Sequence, residues 1–132
     1  MLDHVSVGVI DLDRSRRFYD AALRPLGLVR LLDFESRGSD YGSAPAPLGV
    51  EFTITRETGV MPLQGMHVCF RAPDREAVHA FYTAALAAGG RDDGPPGLRT
   101  HYHGDYYAAF VLDPDGHHVE AVCHAPEHPA TS

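Results

Sequence analysis

One feature limits the possible folds of this chain more than any other: it contains its own beginning twice. The segment HVSVGVIDLDRSRRFYDAAL, from His4 to Leu23, is followed by HVCFRAPDREAVHAFYTAAL, from His67 to Leu86, in one register and without a gap. His4 matches His67, Val5 matches Val68, Asp11 matches Asp74, and Phe18-Tyr19 matches Phe81-Tyr82. Shared helix-forming residues explain the Ala and Leu matches; they do not explain His-Val, Asp and Phe-Tyr together. Repetition at this spacing means that one supersecondary unit is used twice. A later echo pairs Val50-Glu51 with Val119-Glu120. Its wider spacing predicts a longer loop in the second half, placed at Gly94-Pro95-Pro96-Gly97.

Within each unit the patterns change in a fixed order. Val5, Val7 and Val9 alternate with His4, Ser6 and Gly8, the period of a half-buried strand. Asp11 and Asp74 stand where helix N-caps belong, and Val78, Phe81, Tyr82, Ala85 and Leu86 share one helical face. Pro25 and Gly27 close the first helix, Gly89-Gly90 the second. Three strands follow in each half. They are expected at about 28–35, 39–44 and 50–55, then at 91–93 or 100–103, 106–112 and 118–124. Asp113-Pro114-Asp115-Gly116 is hairpin-turn chemistry. The fold class is therefore α+β. Residues 1–132 are read as a single domain of two strand–helix–strand–strand–strand modules, at about 1–60 and 64–124, with a disordered tail over 125–132.

Composition narrows the partners. With 132 residues the chain can bury a core without staples, and two cysteines are too few for a disulfide scaffold. A net charge of −7 argues against nucleic acid and against an anionic membrane. All 11 basic residues are arginine, so lysine Schiff-base chemistry is excluded. No apolar run is long enough to span a bilayer, and the start of the chain lacks a signal-peptide pattern. The expectation is a cytoplasmic protein acting on a small molecule.

Alternation sorts the strand residues into two faces. Val5, Val7, Val9, Val50, Phe52, Ile54, Val68, Phe70, Val119 and Ala121 form the apolar face that the helices should cover. The opposite face carries His4, Ser6, Gly8, Glu51, Thr53, His67, Cys69, Arg71, Glu120 and His124. Small residues between histidines and glutamates describe a lined hollow better than a solvated face. The repeat is expected to make His4 equivalent to His67 and Glu51 equivalent to Glu120. A pseudo-twofold axis would gather the four into a divalent-metal site suited to Ni, Co, Zn, Fe or Mn. Without Glu51, the remaining His4, His67 and Glu120 form a facial triad. Arg71, His101, His103 and Tyr107 are candidate substrate-binding residues at the rim. Cys69 is read as a small buried hydrophobe rather than a nucleophile.

The repeat, its leading histidines and the terminal DPDGHHVE resemble the glyoxalase/bleomycin resistance/dioxygenase superfamily, whose members are also called vicinal oxygen chelate proteins. The resemblance runs from Met1 to about His124 and is glyoxalase I-like around Val50-Glu51-Phe52-Thr53. It implies two βαβββ modules forming a cupped eight-stranded mixed sheet with the helices outside. It also implies His4, Glu51, His67 and Glu120 as metal ligands, with Glu51 and Glu120 catalytic, and a homodimer. Three activities follow from it: a metal-dependent lyase or isomerase working through a metal-stabilised enediolate; an Fe(II) extradiol-type dioxygenase; and a non-enzymatic drug-binding protein.

Overall fold

The computed structural model describes residues 1–43 and 49–127. The expected strand end at Ala44 and positions 128–132 of the expected tail lie outside these residues. The first module runs β1 (Val5–Val9), α1 (Leu12–Leu23), a 3₁₀ turn (Arg24–Leu26), β2 (Val29–Asp33), β3 (Gly38–Gly42) and β4 (Val50–Arg56). The second runs β5 (His67–Arg71), α2 (Arg75–Ala87), β6 (Arg91–Leu98), β7 (Tyr107–Leu112) and β8 (His118–Cys123). Each module forms a four-stranded mixed sheet, in the order β1-β4-β3-β2 and β5-β8-β7-β6. The first and last strands of each module are parallel, and the other pairs are antiparallel.

Both helices begin as the repeat predicts. The Asp11 carboxylate accepts from the Arg14 amide at 3.0 Å, and the Asp74 carboxylate accepts from the Ala77 amide at 2.7 Å. Each cap satisfies an amide that has no partner within the first helical turn. Phe18, Tyr19, Ala22 and Leu23 of α1 join Val78, Phe81 and Ala85 of α2 in one core beneath Phe52, Ile54, Phe70, Val119 and Ala121. The two sheets meet along β1 and β5, which jointly line two cavities. Behind that seam the Phe52 and Phe70 rings pack edge to face at 5.4 Å.

The second-half insertion is not a loop. Residues 94–97 lie inside β6, whose pairing with β7 slips between Asp92 and Gly94 and again between Gly94 and Gly97. Two consecutive prolines cannot donate to a ladder, so they occupy an edge strand where the register can bulge. Of the two alternatives for this strand, 91–93 falls on β6. Residues 100–103 form a turn.

The Asp113–Gly116 turn does more than reverse the chain. One Asp113 oxygen accepts from the amides of Asp115 and His117, both at 2.9 Å. The other accepts from the Tyr19 hydroxyl at 2.6 Å, with both residues buried. Asp115 accepts from the Ile10 amide at 3.1 Å and from the Arg14 guanidinium at 3.2 Å. Gly116 holds the positive φ of 95° that this turn requires. The module-two hairpin is thus bolted to the start of α1 in module one.

Asp113→Ala should cost about 3 kcal/mol or more, because it strands a buried hydroxyl and two amides; Tyr19→Phe should cost about 1 kcal/mol. Urea unfolding midpoints check both. Burial first, and then the Asp113 charge, push the Tyr19 phenol well above its ordinary value of 10.0. The neutral phenol is therefore favoured in the folded state. Its stabilisation is complete below pH 10 and declines above it, as the unfolded chain ionises first. Tyr19→Phe should flatten that alkaline decline in urea midpoints.

Candidate active site

The register redraws the pseudo-symmetry of the strands. Val5 pairs with Phe52, while its repeat mate Val68 pairs with Val119. The structural mate of Glu120 is therefore Thr53, and the mate of Glu51 is His118. The expected equivalence of Glu51 and Glu120 is wrong by two residues. A two-residue slip keeps the face unchanged, so alternation alone could not reveal it.

The centre of the second sheet is a connected polar cluster. Glu120 on β8 is only 1% exposed. Its Oε1 lies 2.9 Å from His67 Nε2, and its Oε2 accepts from the Tyr106 hydroxyl at 2.5 Å. A buried carboxylate needs such partners to offset lost hydration. Cys69 lies opposite Glu120 in the ladder. Burial, then the Glu120 charge, push its thiol up to about 12. It stays protonated near neutrality and so is no nucleophile, but the residue is exposed rather than the buried hydrophobe expected from sequence, because its strand face opens on the seam cavity. Burial and Glu120 also push the Tyr106 phenol far up, so it remains a hydrogen-bond donor.

A second, smaller cluster occupies the equivalent place in the first sheet. Thr53 donates to Asp40 at 2.6 Å, and both are buried. Asp40 is opposite Thr53 on β3, while the flanking Ser39 and Tyr41 turn toward α1, where they bond Arg16 and Asp20. The face of this pair is therefore the one that carries Ser6 and Glu51. Asp40 was missed from sequence, although the same alternation would have placed it.

The other expected ligands lie outside the Glu120 cluster. His4 is bonded to Asp3 at 2.7 Å, near the start of β1, and Glu51 is exposed on β4. Both line a cavity of about 430 Å³ along the seam, together with Cys69 and Arg71. Among the described residues no three His, Cys, Asp or Glu groups converge as a metal cage. In kind the donors do fit a divalent ion. An imidazole nitrogen and a carboxylate oxygen, those of His67 and Glu120, already stand side by side, and His4 and Glu51 supply a second such pair of donor types in the seam cavity.

Among the rim candidates, Tyr107 faces away. Its hydroxyl meets His79 of α2 at 2.5 Å, and the Arg75 guanidinium covers its ring at 4.8 Å. The residue at Glu120 is its neighbour Tyr106. Since Phe110 pairs with Glu120, even-numbered positions of this strand face the cup, a parity the sequence carries. His103 and His124 flank the Tyr106 ring at 5.4 and 5.3 Å. His103 Nδ1 accepts from the Asp105 amide, so its Nε2 is the donor to His124 Nδ1, 2.8 Å away. His101 stacks on Tyr102, which in turn packs on Tyr106.

In metal-free protein, alkylation of Cys69 by iodoacetamide should stay slow at pH 9, where an ordinary thiol reacts freely. Glu120→Gln removes the neighbouring charge and should raise that rate several-fold. Peptide mapping separates Cys69 from the buried Cys123.

Comparisons with known proteins agree on the architecture. A family model described as Glyoxalase/Bleomycin resistance protein/Dioxygenase superfamily matches residues 1–121. A glyoxalase/bleomycin resistance protein from Albidiferax ferrireducens T118 is 36% identical, with a TM-score of 0.78 over 93% of this chain and 98% of that one. A glyoxalase I mutant from Zea mays is 26% identical, with a TM-score of 0.70 over 93% of this chain and 46% of that longer one. A glyoxalase-related enzyme from Fulvimarina pelagi, at 21% identity and a TM-score of 0.70, shares the fold over 93% of this chain and 87% of its own. The search of curated proteins gives no match.

Proposed function

The chain belongs to the glyoxalase/bleomycin resistance protein/dioxygenase superfamily, and from that premise we propose that it is a divalent-metal-dependent lyase or isomerase acting on a small substrate with adjacent oxygens. The observation that carries this reading is the buried Glu120 carboxylate, held between His67 and Tyr106 on the cup lining. His67 and Glu120 would hold the ion, with His4 and Glu51, which line the neighbouring seam cavity, the further candidate donors. When bound, it would supply Lewis-acid stabilisation of negative charge on substrate oxygens.

The chain's own residues do the rest. Glu120 is the proton carrier, since its carboxylate is the buried, desolvated base at the site. Tyr106 stays neutral and donates, so it orients Glu120 and never competes with it for a proton. His67 fixes the other carboxylate oxygen. Cys69, held as a thiol, adds a small neutral wall and no nucleophile. Arg71, on the seam cavity with Glu51, offers a charge for an anionic substrate group. His103 packs directly on Tyr106, His101 reaches it through Tyr102, and Tyr107 takes no part.

A second reading has its own observation. Thr53, rather than a glutamate, is the structural mate of Glu120, which leaves His4, His67 and Glu120 as a facial triad for Fe(II) and a dioxygenase reaction.

Elemental mass spectrometry after loading with Ni, Co, Zn, Fe or Mn tests both. One ion per chain is expected, with affinity lowered at least about tenfold in His67→Gln and in Glu120→Gln. Loss of metal in Glu51→Gln as well supports four ligands and the lyase. Iron retained in Glu51→Gln supports the triad. No uptake of any ion by the unaltered chain overturns both readings.

A further inference from the structure

His67 belongs to two environments at once. Its Nε2 faces Glu120, and its ring also walls a separate cavity of about 200 Å³ along the seam. That cavity is lined by Val7 and Val68 and by Met61, Leu63 and Met66 of the segment linking β4 to β5. The linker crosses close over β1: a side chain at Gly8 would meet Glu57 at 3.0 Å and Val60 at 3.7 Å. His117 helps hold the floor, its Nε2 bonded to the Gly8 carbonyl at 2.7 Å.

Three things about this cavity point to a ligand. Met61, Leu63 and Met66 are 85%, 65% and 51% exposed, an apolar cluster gathered around one mouth rather than scattered over the surface. Among the described residues that line it there is no arginine, aspartate or glutamate. Its size exceeds the roughly 150 Å³ apolar cavity that takes up benzene in another protein. Unbranched methionines also adapt their shape to an inserted group.

We propose that this cavity is the compartment for the apolar part of the substrate, so that the chain takes small molecules with an aromatic ring or a branched alkyl group joined to adjacent oxygens. This deepens the reading of His67 and Glu120 as the reacting end, and rests on it for the position of the oxygens. The apolar group sits on the linker side of His67 and the oxygens on the Glu120 side. Glutathione conjugates are poor ligands for the compartment, because their two carboxylates meet no arginine there. The opposite charge distribution, an arginine beside carboxylates, is found in the other seam cavity.

The chain has three methionines, and two of them line the compartment, so ¹³C-methyl-methionine NMR on the full-length, metal-free protein reads it directly. Benzyl alcohol and mandelate are expected to shift the Met61 and Met66 methyls and leave Met1 unmoved; glycolate and S-methylglutathione should shift none. Leu63→Glu should weaken the benzyl alcohol response about tenfold. Leu63 is largely exposed, so this variant keeps the fold. The proposal is overturned if the aromatic probes leave both methyls in place, or if Leu63→Glu binds as before. It is also overturned if S-methylglutathione acts at lower concentration than mandelate, or if the methyls move with protein concentration alone, which would mark a second copy as the occupant. If mandelate binds no tighter than benzyl alcohol once metal is added, the reacting-end reading fails and the compartment stands.

Discussion

The carboxylate of Asp113 is the point on which the two modules depend. It is 1% exposed and carries a hydroxyl from one module and two amides from the other. No apolar contact could do the same work, because packing tolerates small slips while a buried charge with three donors does not. Fixing this turn fixes the start of β8, which pairs His118 with His67 and sets Glu120 opposite Cys69. The seam between β1 and β5 and both cavities along it follow from that placement.

Much of the architecture was legible because it was written twice. The repeat located both helices with their aspartate caps, and alternation separated core from lining. What escaped the sequence depends on register or on distant partners. Val50-Glu51 and Val119-Glu120 look alike as strings, yet the strand registers make Thr53, not Glu51, the counterpart of Glu120. The prolines of 94–97 suggested a loop, but an edge strand tolerates them by bulging. Tyr107 and Tyr106 are adjacent in the sequence, and only counting back from Phe110 puts Tyr106 on the Glu120 face. Asp113 carries only a turn signal in the sequence, since nothing local to it shows that the Tyr19 hydroxyl reaches it.

The cluster around Glu120 has a definite division of protons. Tyr106 and Cys69 are both driven toward their neutral forms by burial and by the carboxylate. Negative charge in this part of the cup is therefore concentrated on one residue rather than shared. Such concentration suits a group that must receive a proton or a cation, and it explains why His67 turns its Nε2 toward Glu120. The price is a buried ion, which the fold tolerates only because both oxygens are occupied.

The unequal partners along the pseudo-twofold axis have a stereochemical consequence. A cup made of two identical halves would accept a small molecule in either of two orientations, each the reverse of the other. Here Ser6 stands against Cys69, Thr53 against Glu120, and Asp40 against Phe110. A guest that settles one way cannot settle the other at equal cost. Duplication supplies the shape of the hollow, and divergence between the copies makes its two ends different, so that the hollow has a direction that a symmetric one would lack.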